Sequence, residues 1–126
     1  YFSYDVEEGE IIEVQIGVSF VSTENAWENL ETEQSGFNFD AVRKQAYEDW
    51  NKELSRVKVE GGTYDQRVVF YSALYHTLIH PNILNDVNGE YPAMETGKTM
   101  QTDRTRYTVF SLWDTYRNVH QLQTLL

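Results

Sequence analysis

Residues 63–79, Thr-Tyr-Asp-Gln-Arg-Val-Val-Phe-Tyr-Ser-Ala-Leu-Tyr-His-Thr-Leu-Ile, decide how the rest of the chain is interpreted. Thr63 and Gln66 have the spacing of a capping box, in which two side chains satisfy backbone N–H groups at the start of a helix. Between residues 68 and 79 apolar side chains occur on nearly every side of this helix, and Pro81 ends it. The pattern predicts a helix that is buried among other helices.

Two more helices are predicted upstream of this one. Residues 40–57 begin with Asp40 as the expected N-cap and carry apolar residues at spacings of four, four, four and three. This apolar stripe consists of Val42, Ala46, Trp50, Leu54 and Val57. A shorter helix is predicted over residues 24–33, with Ser22 or Thr23 as its cap.

In the segment before these helices, apolar residues recur at every second position. Residues 10–21 alternate between apolar and polar side chains, which is typical of a strand with one buried face. The apolar face consists of Val14, Ile16, Val18 and Phe20. We therefore expect a strand in an antiparallel sheet, followed by helices, with two architectural parts meeting near residue 22.

Downstream of Pro81 the pattern predicts a hairpin and a final helix. Asn88-Gly89 is a strong hairpin signal, and residues 97–106 are polar and loop-like. Residues 111–126 then have helical apolar spacing through Trp113, Tyr116 and Val119. The last residues contain no Gly, Asn or Pro to end that helix, so we interpret the chain as part of a larger protein.

Composition limits the possible partners. The chain has 126 residues, no cysteine and a formal net charge of −10, which disfavours nucleic acid and anionic membrane surfaces. Without cysteine it has no thiolate ligand, thiol nucleophile or disulfide. No apolar run approaches the roughly 20 residues of a membrane span, so none is expected.

Two metal-like patterns have simpler explanations. His76 and His80 have the spacing of zinc ligands on a helix, but Thr77 stands where the protease form needs Glu, and Pro81 disturbs the geometry of His80. Asp86 and the residues after it match the later positions of a calcium loop, but the first ligand position would be Leu84. A hydrogen-bonded histidine and a hairpin turn are the better interpretations, and no metal ligand is assigned.

Residues 111–117, Ser-Leu-Trp-Asp-Thr-Tyr-Arg, are the main candidate for chemistry. Asp114 could accept hydrogen bonds from adjacent sugar hydroxyls, Arg117 could donate to sugar oxygens, and the face of Trp113 could cover the apolar side of a ring. The structural alternative is that Ser111 and Asp114 form a capping box, that Arg117 pairs with Asp114, and that Trp113 belongs to the core. Both interpretations fit the residues.

Four blocks of the sequence resemble, in order and spacing, the central region of glycoside hydrolase family 92. They are residues 17–22 with Glu24, Ala26, Asn29-Leu30 and Glu33; Trp50 and Leu54; residues 70–77; and residues 111–117. Where the family often has Pro shortly after the Arg, this chain has His120-Gln121. The family consists of calcium-dependent exo-acting α-mannosidases, often specific for α-1,2 linkages.

The resemblance implies an α+β fold in which the end of an antiparallel β-sandwich domain is followed by linking helices and the first helices of an (α/α)6 barrel. Residues 1–22 would then be the C-terminal strand or strands of the sandwich, and residues 23–62 the linking helices. Residues 63–126 would be the opening part of the barrel catalytic domain, packed against the rest of its own parent chain.

The resemblance also implies a function. The parent protein would be an inverting exo-α-mannosidase acting on a mannose-containing glycan, with Ca²⁺ as cofactor and a secreted or periplasmic location. Asp114 would bind mannose hydroxyls, Trp113 and Arg117 would support it, and His76 is a further substrate-binding candidate. The catalytic carboxylates and calcium ligands of the family lie beyond residue 126, so no catalytic residue is assigned within this chain. The alternative function is a non-catalytic carbohydrate-binding or structural helical module.

Overall fold

The computed structural model describes all residues from 1 to 126 as an α-rich chain with one small sheet. The helices and strands, in order, are α1 (Thr23–Glu33), α2 (Phe39–Leu54), α3 (Tyr64–Leu78), β1 (Glu90–Pro92), β2 (Thr99–Gln101), α4 (Leu112–Thr115) and α5 (Val119–Leu125). The two strands are antiparallel, so the fold class is α+β. None of the helices combines the length and the hydrophobicity that a membrane crossing needs.

The helix starts follow the capping residues closely. Ser22 accepts a hydrogen bond from the backbone N–H of Asn25 and caps α1. At α3 the predicted capping box of Thr63 and Gln66 is present in both directions. The predicted cap of α2 is wrong by two residues: Asn38, not Asp40, accepts from the backbone N–H at the start of that helix.

The strand predicted over residues 10–21 is not formed. The side chains still alternate in exposure, but in the opposite sense to the prediction. Gln15, Gly17 and Ser19 are half-buried, whereas the apolar face is 64–77% exposed. The polar face lies against α1, where Gly17 passes so close that a Cβ atom would overlap the carbonyl oxygen of Ala26. No neighbouring strand within these residues is available to pair with the segment, and a strand needs a partner for its backbone groups.

Helices α2 and α3 pack together through aromatic side chains. The rings of Trp50 and Tyr75 lie 4.5 Å apart, and the Tyr71 hydroxyl donates to the carbonyl of Val57 at 3.1 Å. The predicted burial of α3 among other helices is not met within these residues: only Leu74 is buried, and Val69 is 68% exposed. Of the other helices, only α2 packs closely against α3, so most apolar side chains of α3 stay exposed within these residues.

The predicted turn at Asn88-Gly89 is formed, but it does not join the two strands of the hairpin, because β1 and β2 both follow it and are connected by residues 93–98. Glu90 pairs with Gln101 and Pro92 with Thr99, so β2 forms inside the stretch predicted to be loop. The Asn88-Gly89 turn places Gly89 at φ 88°, a left-handed conformation that favours glycine. A Cβ atom there would overlap the carbonyl oxygen of Thr102. Pairing with β1 gives residues 99–101 backbone hydrogen-bond partners that the local sequence does not predict.

The final helix is divided. Residues 116–118 separate α4 from α5, whereas the apolar spacing predicted one continuous helix. An extended pairing leads into α4: Ile83 bridges Tyr107, and the backbone N–H of Leu84 donates to the carbonyl of Arg106 at 2.7 Å. The hairpin region therefore fixes the chain immediately before the Ser111–Arg117 block.

Candidate functional site

The start of α4 leaves the carboxylate of Asp114 accessible. Ser111 occupies the N-cap position but makes no side-chain cap; its hydroxyl instead donates to Oδ2 of Asp114 at 2.8 Å. This is the only hydrogen bond of that carboxylate within the chain, and the residue is exposed. The predicted capping box is therefore not formed, and most of the hydrogen-bonding capacity of Asp114 is unused within these residues.

The guanidinium of Arg117 stacks on aromatic rings and does not pair with Asp114. Its central carbon lies 5.4 Å from the ring centroid of Trp113 and 5.8 Å from that of Tyr116, within the range of cation–π contacts. The expected ion pair between Arg117 and Asp114 is absent. Trp113 is 74% exposed, so it does not belong to a core within these residues.

Trp113, Asp114 and Arg117 thus form an exposed group, which we call the Trp-Asp-Arg cluster. It combines an indole face, a carboxylate with free acceptor positions and a guanidinium held against the indole. An indole face packs on the C–H side of a sugar ring, while the carboxylate accepts from vicinal hydroxyls. The cluster stays a predicted sugar-binding site, and within these residues the capping box and the ion pair of the structural alternative are not formed.

The structure places His76 apart from this cluster. His76 is exposed on α3 and lines a cavity of about 560 Å³ together with Leu54, Tyr64, Arg67, Val68, Tyr71, Ser72 and Tyr75. No hydrogen bond or aromatic contact joins it to the Trp-Asp-Arg cluster; its ring contacts that of Tyr75, with 5.5 Å between centroids. Within these residues His76 and Asp114 do not share a site.

The two histidines of the zinc-like pattern separate as well. Helix α3 ends at Leu78, so His80 lies outside it, and Nε2 of His80 is 3.1 Å from the carbonyl oxygen of Val109. No three histidine or acidic side chains come together in an arrangement that could hold a metal ion. Within residues 1–126 the acidic side chains therefore form no calcium-binding cluster of their own.

A second polar cluster was missed by sequence reasoning. The carboxylate of Asp86 is 5% exposed and accepts from Ser19 Oγ at 2.7 Å, Asn25 Nδ2 at 2.8 Å and Asn29 Nδ2 at 2.7 Å. The Asn25 amide also donates to Glu90 at 2.9 Å. We call Ser19, Asn25, Asn29 and Asp86 the Asp86 cluster; it ties the extended segment, α1 and the hairpin together.

The charge of Asp86 is stabilised by its donors. Burial raises the pKa of Asp86, but the hydrogen bonds from Ser19, Asn25 and Asn29 together outweigh burial and leave the pKa below its ordinary value. The only sequence signal was the placement of Asn25 and Asn29 four residues apart, on one face of α1. Their partner Asp86 is 57 residues from Asn29 and 61 residues from Asn25 along the chain, which spacing does not reveal.

Comparison with known proteins identifies the enzyme family to which the chain is similar. Residues 25–126 match the model of the glycosyl hydrolase family 92 catalytic domain. A secreted glycosidase of Arthroderma benhamiae, itself uncharacterized, is 32% identical over 112 residues, which is 85% of this chain and 13% of the relative. A family GH92 α-mannosidase of Bacteroides thetaiotaomicron superimposes with a TM-score of 0.75 at 34% identity, covering 82% of this chain and 14% of that protein.

The same Bacteroides enzyme matches equally well in its complex with mannoimidazole, again with a TM-score of 0.75. The chain belongs to glycosyl hydrolase family 92. It spans 13–14% of the length of these relatives, so it is part of a catalytic domain and not the whole of one.

Proposed function

We propose that the full-length protein containing this chain is an exo-acting α-mannosidase that removes terminal α-mannosides, with a preference for α-1,2 linkages. Family membership supports hydrolysis of glycosides, and the solved relative is an α-mannosidase. The observation that carries the proposal within this chain is the exposed carboxylate of Asp114, bonded only to Ser111, beside the exposed face of Trp113.

In this proposal the Trp-Asp-Arg cluster binds the terminal mannose. Asp114 accepts hydrogen bonds from two vicinal hydroxyls, and the indole of Trp113 covers the C–H face of the ring. Arg117 packs on the Trp113 ring, which helps to hold the indole in place, and its guanidinium can donate a hydrogen bond to a sugar oxygen. His76 would contribute from α3 only if the rest of the protein brings its cavity towards the cluster.

The catalytic step is proposed to invert the anomeric centre. Inversion needs one carboxylic acid to protonate the leaving oxygen and one carboxylate to activate water, about 6.5 to 9.5 Å apart. Both are assigned to the parent protein outside residues 1–126, as are the ligands of the proposed calcium ion, which would help to hold the mannose hydroxyls.

The proposed architecture places residues 1–22 at the end of a β-sandwich, residues 23–62 in linking helices and residues 63–126 at the start of an (α/α)6 barrel. The exposed apolar face of residues 14–20 is consistent with a sheet on that side. A secreted location is proposed because the Arthroderma relative is named as secreted.

The proposal is tested by adding α-1,2-mannobiose to the full-length protein, with and without a calcium chelator. We expect mannose release that the chelator abolishes and added Ca²⁺ restores, and NMR of the first product should show β-mannose. A matched assay with α-1,6-mannobiose measures the linkage preference. Failure to release mannose under any condition would contradict the α-mannosidase proposal and favour the alternative function, a non-catalytic carbohydrate-binding or structural module.

A further inference from the structure

Two side chains of α5 contact residues at the C-terminal end of α4, across the break between the two helices. Nε2 of His120 lies 2.9 Å from Oγ1 of Thr115, and Nε2 of Gln121 donates to the carbonyl of Tyr116 at 3.1 Å. Each pair is five residues apart. In a continuous helix the side chains of residues 115 and 120 would point roughly 140° away from each other, so the break at residues 116–118 makes the contact between Thr115 and His120 possible.

The imidazole of His120 is also held from its other side. Its ring meets that of Phe110 edge to face, with centroids 5.0 Å apart and planes at 87°. Phe110 in turn meets the ring of His80 at 5.2 Å, and His80 contacts the backbone of Val109. Edge-to-face pairs of this kind are favourable contacts with a defined orientation.

His120 therefore contacts both ends of residues 110–115, the segment that carries Trp113 and Asp114. Phe110 lies at one end of this segment and Thr115 at the other. The Thr115 hydroxyl also reaches the carbonyl of Ser111 at 3.2 Å, and Ser111 donates to Asp114. A continuous set of contacts thus leads from His120 through Thr115 and Ser111 to the carboxylate.

We propose that His120 is a positioning residue for the mannose site: by bonding Thr115 and packing on Phe110, it fixes the orientation of the turn that presents Asp114. The inference rests on the proposed function of Asp114. His120 itself is half-buried and makes no hydrogen bond to any residue of the Trp-Asp-Arg cluster, so it acts through Thr115.

The test is a double-mutant cycle in the full-length protein, with α-1,2-mannobiose as substrate. His120→Phe keeps a ring against Phe110 and removes the bond to Thr115; Thr115→Val removes that bond and also the bond from Thr115 to the carbonyl of Ser111. Each change is expected to lower kcat/KM about tenfold, since small displacements of a substrate-binding group are costly. Thr115→Ser keeps the hydroxyl, so this variant should retain most of the wild-type kcat/KM.

Thr124→Val is the matched control, because Thr124 also bonds a backbone carbonyl within α5 but lies outside the contact chain. It should leave kcat/KM unchanged. The decisive measurement repeats His120→Phe in an Asp114→Asn background, where kcat/KM should fall by less than about twofold further, as coupled residues are not additive. The melting temperature is recorded for every variant.

Three results would overturn the inference. Full activity in both His120→Phe and Thr115→Val would show that the bond positions nothing. An equal tenfold loss with and without Asp114 would show that His120 acts on general folding and not through the carboxylate. Wild-type activity in Asp114→Asn alone would overturn the proposed role of Asp114 itself, which is a separate and recognisable failure.

Discussion

Replacing Asp114 with alanine in the full-length protein is expected to lower kcat/KM on α-mannosides by about 100-fold or more. Two hydrogen bonds between sugar hydroxyls and a charged acceptor would be lost, and each such bond contributes about 1.5–3 kcal/mol. Every 1.4 kcal/mol of lost transition-state stabilisation corresponds to about tenfold in kcat/KM. The melting temperature should change little, because the carboxylate is exposed and bonds only to Ser111.

Asp65→Ala is the matched control for Asp114→Ala. Asp65 is also an exposed acid in the first turn of a helix with a hydroxyl residue at its N-cap. If Asp114 serves only the helix, the two substitutions should have similar small effects on stability and none on kcat/KM. Equal activity in the two variants would favour the structural alternative.

The largest effect on stability is expected from Asp86→Ala. The substitution removes the acceptor of three buried or half-buried donors, and a donor left unsatisfied by such a change costs about 1–3 kcal/mol. We expect a loss of about 3 kcal/mol, seen as roughly 100-fold faster hydrogen exchange in α1 and at residues 86–90. Asp103→Ala, which removes an exposed carboxylate without a side-chain partner, should leave exchange unchanged.

The same cluster predicts a pH dependence. Because the pKa of Asp86 is lower in the folded state than in the unfolded state, its stabilisation is fully present above the ordinary aspartate pKa. It is lost as the pH falls through the lowered value. The exchange-derived free energy of opening for α1 should therefore fall in acid for the wild type and stay flatter for Asp86→Ala. Parallel curves for the two proteins would contradict the role of the cluster.

Local signals predicted where α1 and α3 begin, but not the cap of α2 or the break in the final helix. Ser22, Thr63 and the turn at Asn88-Gly89 bond backbone groups only two or three residues away, so the local sequence contains the information that places them. The strand over residues 10–21 failed for the opposite reason. Alternating side chains describe which face could be buried, but pairing depends on a partner strand that these residues do not include.

The Trp-Asp-Arg cluster was predicted by residue, whereas its contacts were not. The spacing of Asp114 and Arg117 suggested an ion pair, but the helix breaks one residue before Arg117 and its guanidinium stacks on Trp113 instead. The Asp86 cluster was not predicted at all, because its members come from three distant segments. Contacts set by tertiary folding, unlike caps and turns, have no spacing rule in the sequence.

The most direct test of the mannose site is a crystal structure of the full-length protein with bound mannoimidazole. The account predicts an Asp114 carboxylate oxygen within about 2.6–3.2 Å of a hydroxyl of the sugar ring, with the Trp113 indole against the ring's C–H face. A ligand bound elsewhere, with Asp114 contacting only Ser111, would contradict it.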